Sequence, residues 1–201
     1  LFDTPEQVPA SALTGSTARW HTLAVPGNWP LQGEADHPHY TNVQMPFPGP
    51  PPRLPERNPT GVYRRSFDVP ATWSGRQLVL HVGGAESVHA VWVNGEFAGY
   101  GTDSRLPSEY DITELAQPGT NEVAIVVMRY SALSYVEDQD QWWLAGLHRE
   151  VFLEARTTEC LADTVCDASL QMAAGTGVLS VAAHVAMAEP GPDGTLHWRA
   201  I

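Results

Sequence analysis

An all-β fold is predicted: an antiparallel jelly-roll sandwich followed by a truncated immunoglobulin-like β-sandwich. Three observations predict it. From 61 to 154, short apolar alternations with a period of two recur at regular spacing, with turn formers between them. Seventeen Gly and seventeen Pro in 201 residues disfavour long helices. The strand–helix alternation of a barrel enzyme is absent, and a complete eight-fold α/β barrel takes about 250 residues, more than this chain has.

Each element follows from local pattern. Residues 1–60 carry no sustained periodicity, and Pro46-Phe47-Pro48-Gly49-Pro50-Pro51-Pro52 excludes helix and central strand, because proline fixes φ and donates no hydrogen bond. This stretch is expected to be an ordered surface arm of polyproline type. Trp20, Trp29, Tyr40 and Phe47 are the residues by which it would pack. In Val62–Val69, Tyr63, Phe67 and Val69 share one face, with Arg64, Ser66 and Asp68 opposite. Leu78, Leu80 and Val82 alternate next, then Val88, Ala90 and Trp92 up to Asn94-Gly95, a two-residue hairpin turn. Phe97 to Tyr100 returns. One helical turn is expected at Thr113–Ala116, capped by Asp111 or Thr113 and ended by Pro118-Gly119. Val123, Ile125 and Val127 mark a long strand and Val151 to Leu153 a closing one.

A first domain over 1–156 and an incomplete second over 157–201 follow from the shift to small residues after Arg156. Strands are expected at Leu170–Met172 and Val178–Val185, then a turn at Asp193-Gly194 and a strand over Leu196–Ile201. An immunoglobulin-like sandwich takes about 100 residues, so this piece would be its beginning. An extra pair of hairpins on the first domain is the alternative. Cys160 and Cys166 fit neither a redox nor a zinc pattern, and two idle thiols are preferred to a disulfide.

The formal net charge of −12, with only 11 Lys and Arg, disfavours nucleic-acid binding, which needs cations to displace counterions. No apolar run nears the ~20 residues that span a bilayer, and Leu1-Phe2-Asp3 does not open like a secretory leader. Without an initiator Met, the chain is expected to lie inside a longer one.

Several unusual segments stand in a fixed order. They are Val25-Pro26-Gly27-Asn28-Trp29, Tyr40-Thr41-Asn42-Val43, Asn58-Pro59-Thr60-Gly61, the run from Gly99 to Asp111 that contains Asp103-Ser104-Arg105-Leu106-Pro107-Ser108-Glu109, Glu137-Asp138-Gln139-Asp140-Gln141-Trp142, and Ala145-Gly146-Leu147-His148-Arg149-Glu150-Val151. Over roughly 25–155 the chain resembles the bacterial β-galactosidases of glycoside hydrolase family 2. The last segment alone would indicate only the wider family, with its β-glucuronidases and β-mannosidases. The Gly99–Asp111 and Glu137–Asp140 runs point to the β-galactosidases.

The resemblance implies a jelly-roll domain that completes one wall of a galactose pocket beside a catalytic barrel. It implies that Asn42, with Val43 beside it, contacts galactosyl hydroxyls. It also implies that Asp140 contacts the sugar and ligates a sodium ion shared with the barrel. The residue types suit that work: an amide both donates and accepts, and a carboxylate accepts hydroxyl protons and is a hard oxygen ligand. Read without the resemblance, Asn42 is a turn residue and Asp140 belongs to a solvated acidic run with Glu137 and Asp138. One of Trp142 and Trp143 is expected in the core. Asp36-His37-Pro38-His39 reads as an exposed loop rather than a metal site, and Asp103, Arg105 and Glu109 as an ion-pair network holding a loop. Ala132 stands where the family often carries an aspartate associated with a structural magnesium, so magnesium is assigned to the parent's barrel and not to this chain.

The chain is therefore expected to carry no catalytic residue, since retaining glycosidases use two carboxyl groups and the resemblance places both in the barrel. Its partners would be a β-galactoside such as lactose and the barrel of a cytoplasmic, homo-oligomeric parent. The alternatives are a stand-alone carbohydrate-binding module and a domain that only braces a barrel.

Overall fold

The computed structural model describes residues 1–42 and 44–187, so Val43, the Asp193-Gly194 turn and the strand over 196–201 lie outside the described residues. The chain forms two compact units: Leu1–Ser74 with Leu78–Ala155, and Gly75–Gln77 with Arg156–Ile201.

The first unit is an antiparallel β-sandwich. One sheet has the order β2 (Thr60–Val69), β7 (Gly119–Met128), β4 (Val88–Val93), β5 (Glu96–Gly101). The other has the order β6 (Ser108–Asp111), β3 (Gln77–Val82), β9 (Val151–Arg156). A separate ribbon pairs β1 (His39–Thr41) with β8 (Gln141–Trp143). Leu78, Leu80, Val82 and Tyr110 from one sheet meet Val69, Val91, Val93, Val123, Ile125 and Val127 from the other, with Ile112, Leu147 and Trp29 closing the core. At Asn94-Gly95 both residues take positive φ, 53° and 87°, as a two-residue hairpin turn requires.

The structure corrects the face of β4. Val88, Ala90 and Trp92 are half-buried, and the core side of β4 is His89, Val91 and Val93. Five of these six residues are apolar, so period two could not choose the face. Thr113–Leu115 make the single expected turn, closed by the Ala116 amide donating to the Ile112 carbonyl at 2.9 Å, and Asp111 caps it by accepting from the Thr113 amide at 3.0 Å. The Pro46–Pro52 stretch forms neither helix nor strand, and Phe47 packs it onto Tyr130 and Trp143; ahead of it the chain has a short helix α1 (Ser11–Thr14) and strand β1. Gly15 and Trp20 of this arm reach Arg64 on β2. Arg64 donates to the Gly15 carbonyl, bonds Glu122 at 2.6 Å and lies over the Trp20 ring. Ala124 and Val126, on the same sheet, are also buried.

In the second unit β10 (Cys160–Gln171) and β11 (Thr176–Ala186) form one long antiparallel hairpin. Cys160 and Cys166 are both free. Six residues apart on one strand, they are separated by about 20 Å, well beyond disulfide reach. No helix among the described residues is long and apolar enough to cross a membrane.

Candidate functional site

The ribbon of β1 and β8 joins the two segments that carry the candidate binding residues. His39 faces Trp143, Tyr40 faces Trp142 and Thr41 faces Gln141. In this antiparallel register Asn42 follows the end of β1 where Asp140 precedes the start of β8, so two residues far apart in sequence come side by side. Both are exposed. The Tyr40 hydroxyl donates to Asp140 Oδ1 at 2.5 Å. That hydrogen bond is the main cause that raises the Tyr40 pKa, with burial and the Asp140 charge adding to it and the Asn42 side chain opposing it. Asn42, Tyr40 and Asp140 thus form one polar cluster. Tyr40 and Trp142 pack at 5.6 Å between ring centres and are 48% and 57% exposed, a half-open aromatic face next to a carboxylate.

Alternation along β8 sends the next residue inward. Trp143 is buried against Tyr130 and Phe47, and its indole N–H donates to Thr41 Oγ1 at 2.8 Å. The Arg129 guanidinium donates to the Trp143 carbonyl at 3.0 Å and to Asp36, and Asp36 also accepts the Trp29 indole N–H at 2.8 Å. Asp36 is only 4% exposed. This corrects the exposed-loop expectation: His37 and His39 are exposed, but Asp36 is the counter-ion of a buried arginine.

The acidic segment is tied down at its other end. Glu137 accepts from the Ser104 amide at 2.9 Å and from the Ser104 hydroxyl, and His148 Nε2 lies 2.8 Å from the Ser104 carbonyl. Asp103 accepts from the amides of Arg105 and Leu106, Arg105 approaches Glu86 at 3.5 Å, and Glu109 pairs with His81. The expected ion-pair network among the three is therefore replaced by separate contacts: Asp103 turns the loop through backbone amides, Arg105 reaches Glu86, and Glu109, in β6, pairs with its cross-strand neighbour His81. Burial pushes the Glu86 pKa up to about 7, against the pull of Arg105. Burial lowers His89 to about 4, with its Nε2 2.7 Å from the Tyr110 hydroxyl. Among the described residues no group of three or more His, Cys, Asp or Glu is placed to hold a metal ion. The cluster can offer a cation the Asp140 carboxylate, a hard oxygen ligand of the kind sodium takes.

Residues 1–157 match the family described as glycosyl hydrolases family 2, sugar binding domain. The chain belongs to glycosyl hydrolase family 2. Among relatives of this family 2 domain, a β-galactosidase of Alteromonas mediterranea is 41% identical over 186 residues, 90% of this chain and 18% of that protein. One from an Arthrobacter species is 48% identical over 166 residues, 80% of this chain and 16% of that protein. The chain thus spans less than a fifth of the length of these relatives. Among solved structures, a β-glycosidase from Bacteroides vulgatus superposes with a TM-score of 0.66 at 20% identity, over 90% of this chain and 22% of that one. A Bifidobacterium dentium β-glucuronidase superposes with 0.61 at 20%, over 80% and 29%. At that identity the two structures show a shared fold.

Most of the family 2 segments prove to be packing partners of one another. Gly27 and Trp29 donate backbone bonds to Leu147 and Ala145, and the Asn58 amide exchanges two bonds of 2.9 Å with the Tyr130 backbone. Sequence reasoning missed Tyr40, Asp36 and the Ser104–Glu137 clamp. Only the pairing of β1 with β8 exposes Tyr40, and strands of three residues are too short to show a period.

Proposed function

We propose that this chain is the sugar-binding part of a retaining β-galactosidase, in which Asn42 and Asp140 form part of the wall that reads galactosyl hydroxyls. The observation that supports this reading most directly is the convergence of those two residues at one end of the β1–β8 ribbon, with Tyr40 between them. An exposed amide and an exposed carboxylate suit a neutral ligand rich in hydroxyl groups. Asp138 is exposed beside Asp140, so the patch would repel a uronic acid. That favours galactosides over glucuronides, as does identity of 41–48% to relatives named β-galactosidase.

On this reading the two carboxyl groups that break the glycosidic bond, about 5–5.5 Å apart in a retaining enzyme, come from a barrel elsewhere in the parent. A sodium ion bound there, with Asp140 as one ligand, would supply a fixed positive charge for a sugar hydroxyl oxygen. The chain's own residues contribute orientation, which lowers the barrier by holding the substrate in a reactive pose. Magnesium in the barrel, a cytoplasmic homo-oligomeric parent, a role for Val43, and a second unit that begins an immunoglobulin-like sandwich are parts of the same proposal.

The test is Asp140→Ala in the enzyme that carries this chain. Loss of two or more charge-assisted bonds predicts a fall in kcat/KM for a β-galactoside of about a hundredfold. Unchanged turnover would instead assign the domain a bracing role.

A further inference from the structure

We propose that Tyr40 is a positioning residue: its phenol locks the Asp140 carboxylate so that the second oxygen, Oδ2, stays free for a sugar hydroxyl or a cation. This rests on the reading of Asp140 given above, and it goes further by assigning a task to a residue that does not itself have to touch the ligand.

The geometry carries it. Asp140 lies just ahead of β8 in an exposed segment, where a turn closes between the Gln141 amide and the Gln139 carbonyl. A carboxylate there would rotate freely about both side-chain torsions unless something held it. Tyr40 holds it, through an O–H···O contact of 2.5 Å to Oδ1, in the range of a strong charge-assisted bond. Oδ2 takes no hydrogen bond from any described residue.

The phenol is itself held in place. Tyr40 faces Trp142 across the ribbon and packs on its ring, and the neighbouring Thr41 is tied to the buried Trp143 indole. The chain of restraint runs from the core through Trp143 and Thr41 to Tyr40, and from Tyr40 to one oxygen of Asp140. Fixing the carboxylate beforehand removes the entropy cost of ordering it when a ligand arrives. A phenylalanine would keep the ring and its contact with Trp142 and lose only the lock.

The experiment uses the enzyme that carries the chain, with single variants Tyr40→Phe and Asp140→Asn and the double variant. Three quantities are measured: equilibrium affinity for galactose, equilibrium affinity for Na⁺, and kcat and KM on a chromogenic β-galactoside. Tyr40→Phe is expected to weaken galactose and Na⁺ binding about tenfold, with an unchanged thermal midpoint. In the Asp140→Asn background the same substitution is expected to have no further effect, a non-additivity that a merely structural tyrosine would not produce. If Asp140→Asn weakens binding while Tyr40→Phe does not, or if the two effects add, the positioning role is overturned and the reading of Asp140 stands. If Asp140→Asn changes neither affinity nor turnover, both fall together.

Discussion

The indole of Trp29 lies so close over Gly61 that a Cβ added there would fall 2.8 Å from its ring carbon Cζ3. Trp29 is 1% exposed and belongs to the core, while Gly61 sits in β2, paired with Val127. The glycine is required because the aromatic ring takes the volume that a side chain would fill. Two segments separated in sequence thus specify each other by shape.

Gly61→Ala is expected to destabilise the chain by about 1–3 kcal/mol, the usual cost of overpacking a filled core. Denaturant unfolding should show a lower midpoint with an unchanged slope.

Asp36→Ala removes the counter-ion of Arg129, and both side chains are only 4% exposed. Leaving a buried charge unpaired costs about 3–5 kcal/mol. Because Arg129 also holds the Trp143 carbonyl, fluorescence of the Trp143 region should change together with stability.

Two buried groups give opposite pH dependences. Burial lowers His89 to about 4 from its ordinary 6.5, so the unfolded chain binds this proton more readily. Its contribution to stability is complete above about pH 6.5 and is lost as pH falls toward 4. Glu86 is raised to about 7 from 4.5, so the folded form keeps a proton that the unfolded chain releases. Its contribution is complete below about pH 4.5 and is lost as pH rises through 7. Each span corresponds to ~3 kcal/mol, and the two oppose each other over the shared window. Relative to the unmodified chain, His89→Gln should therefore gain stability on acidification, and Glu86→Gln should lose it. Urea unfolding at a series of pH values reads both signs.

The 201-residue chain, assayed on a chromogenic β-galactoside, is expected to show no turnover. Galactose should perturb its tryptophan fluorescence weakly, since Trp142 is exposed beside Asp140. Measurable turnover would require catalytic carboxyl groups among residues assigned here to packing.

Local pattern along the chain was enough for the class of fold and most of its strands. Apolar side chains at alternate positions, as in Leu78, Leu80 and Val82, have only one way to share a buried face, and Asn94-Gly95 allows only a tight reversal. The sequence also singled out Asn42 and Asp140, through the segments they sit in. Local pattern could not tell which side of β4 faces the core, because both sides are apolar and the buried polar residue, His89, finds its partner in Tyr110 on another strand. Nor could it show that Asp36 is buried, since the compensating charge comes from Arg129 in a distant segment. The Tyr40–Asp140 bond was likewise decided by tertiary structure alone. It exists because β1 and β8 pair in one register, and that register is held by Trp143, whose burial is settled by the packing of Phe47 and Tyr130 around it. Period and turn chemistry act within a few residues, whereas charge compensation, register and close packing join residues that only the folded chain brings together.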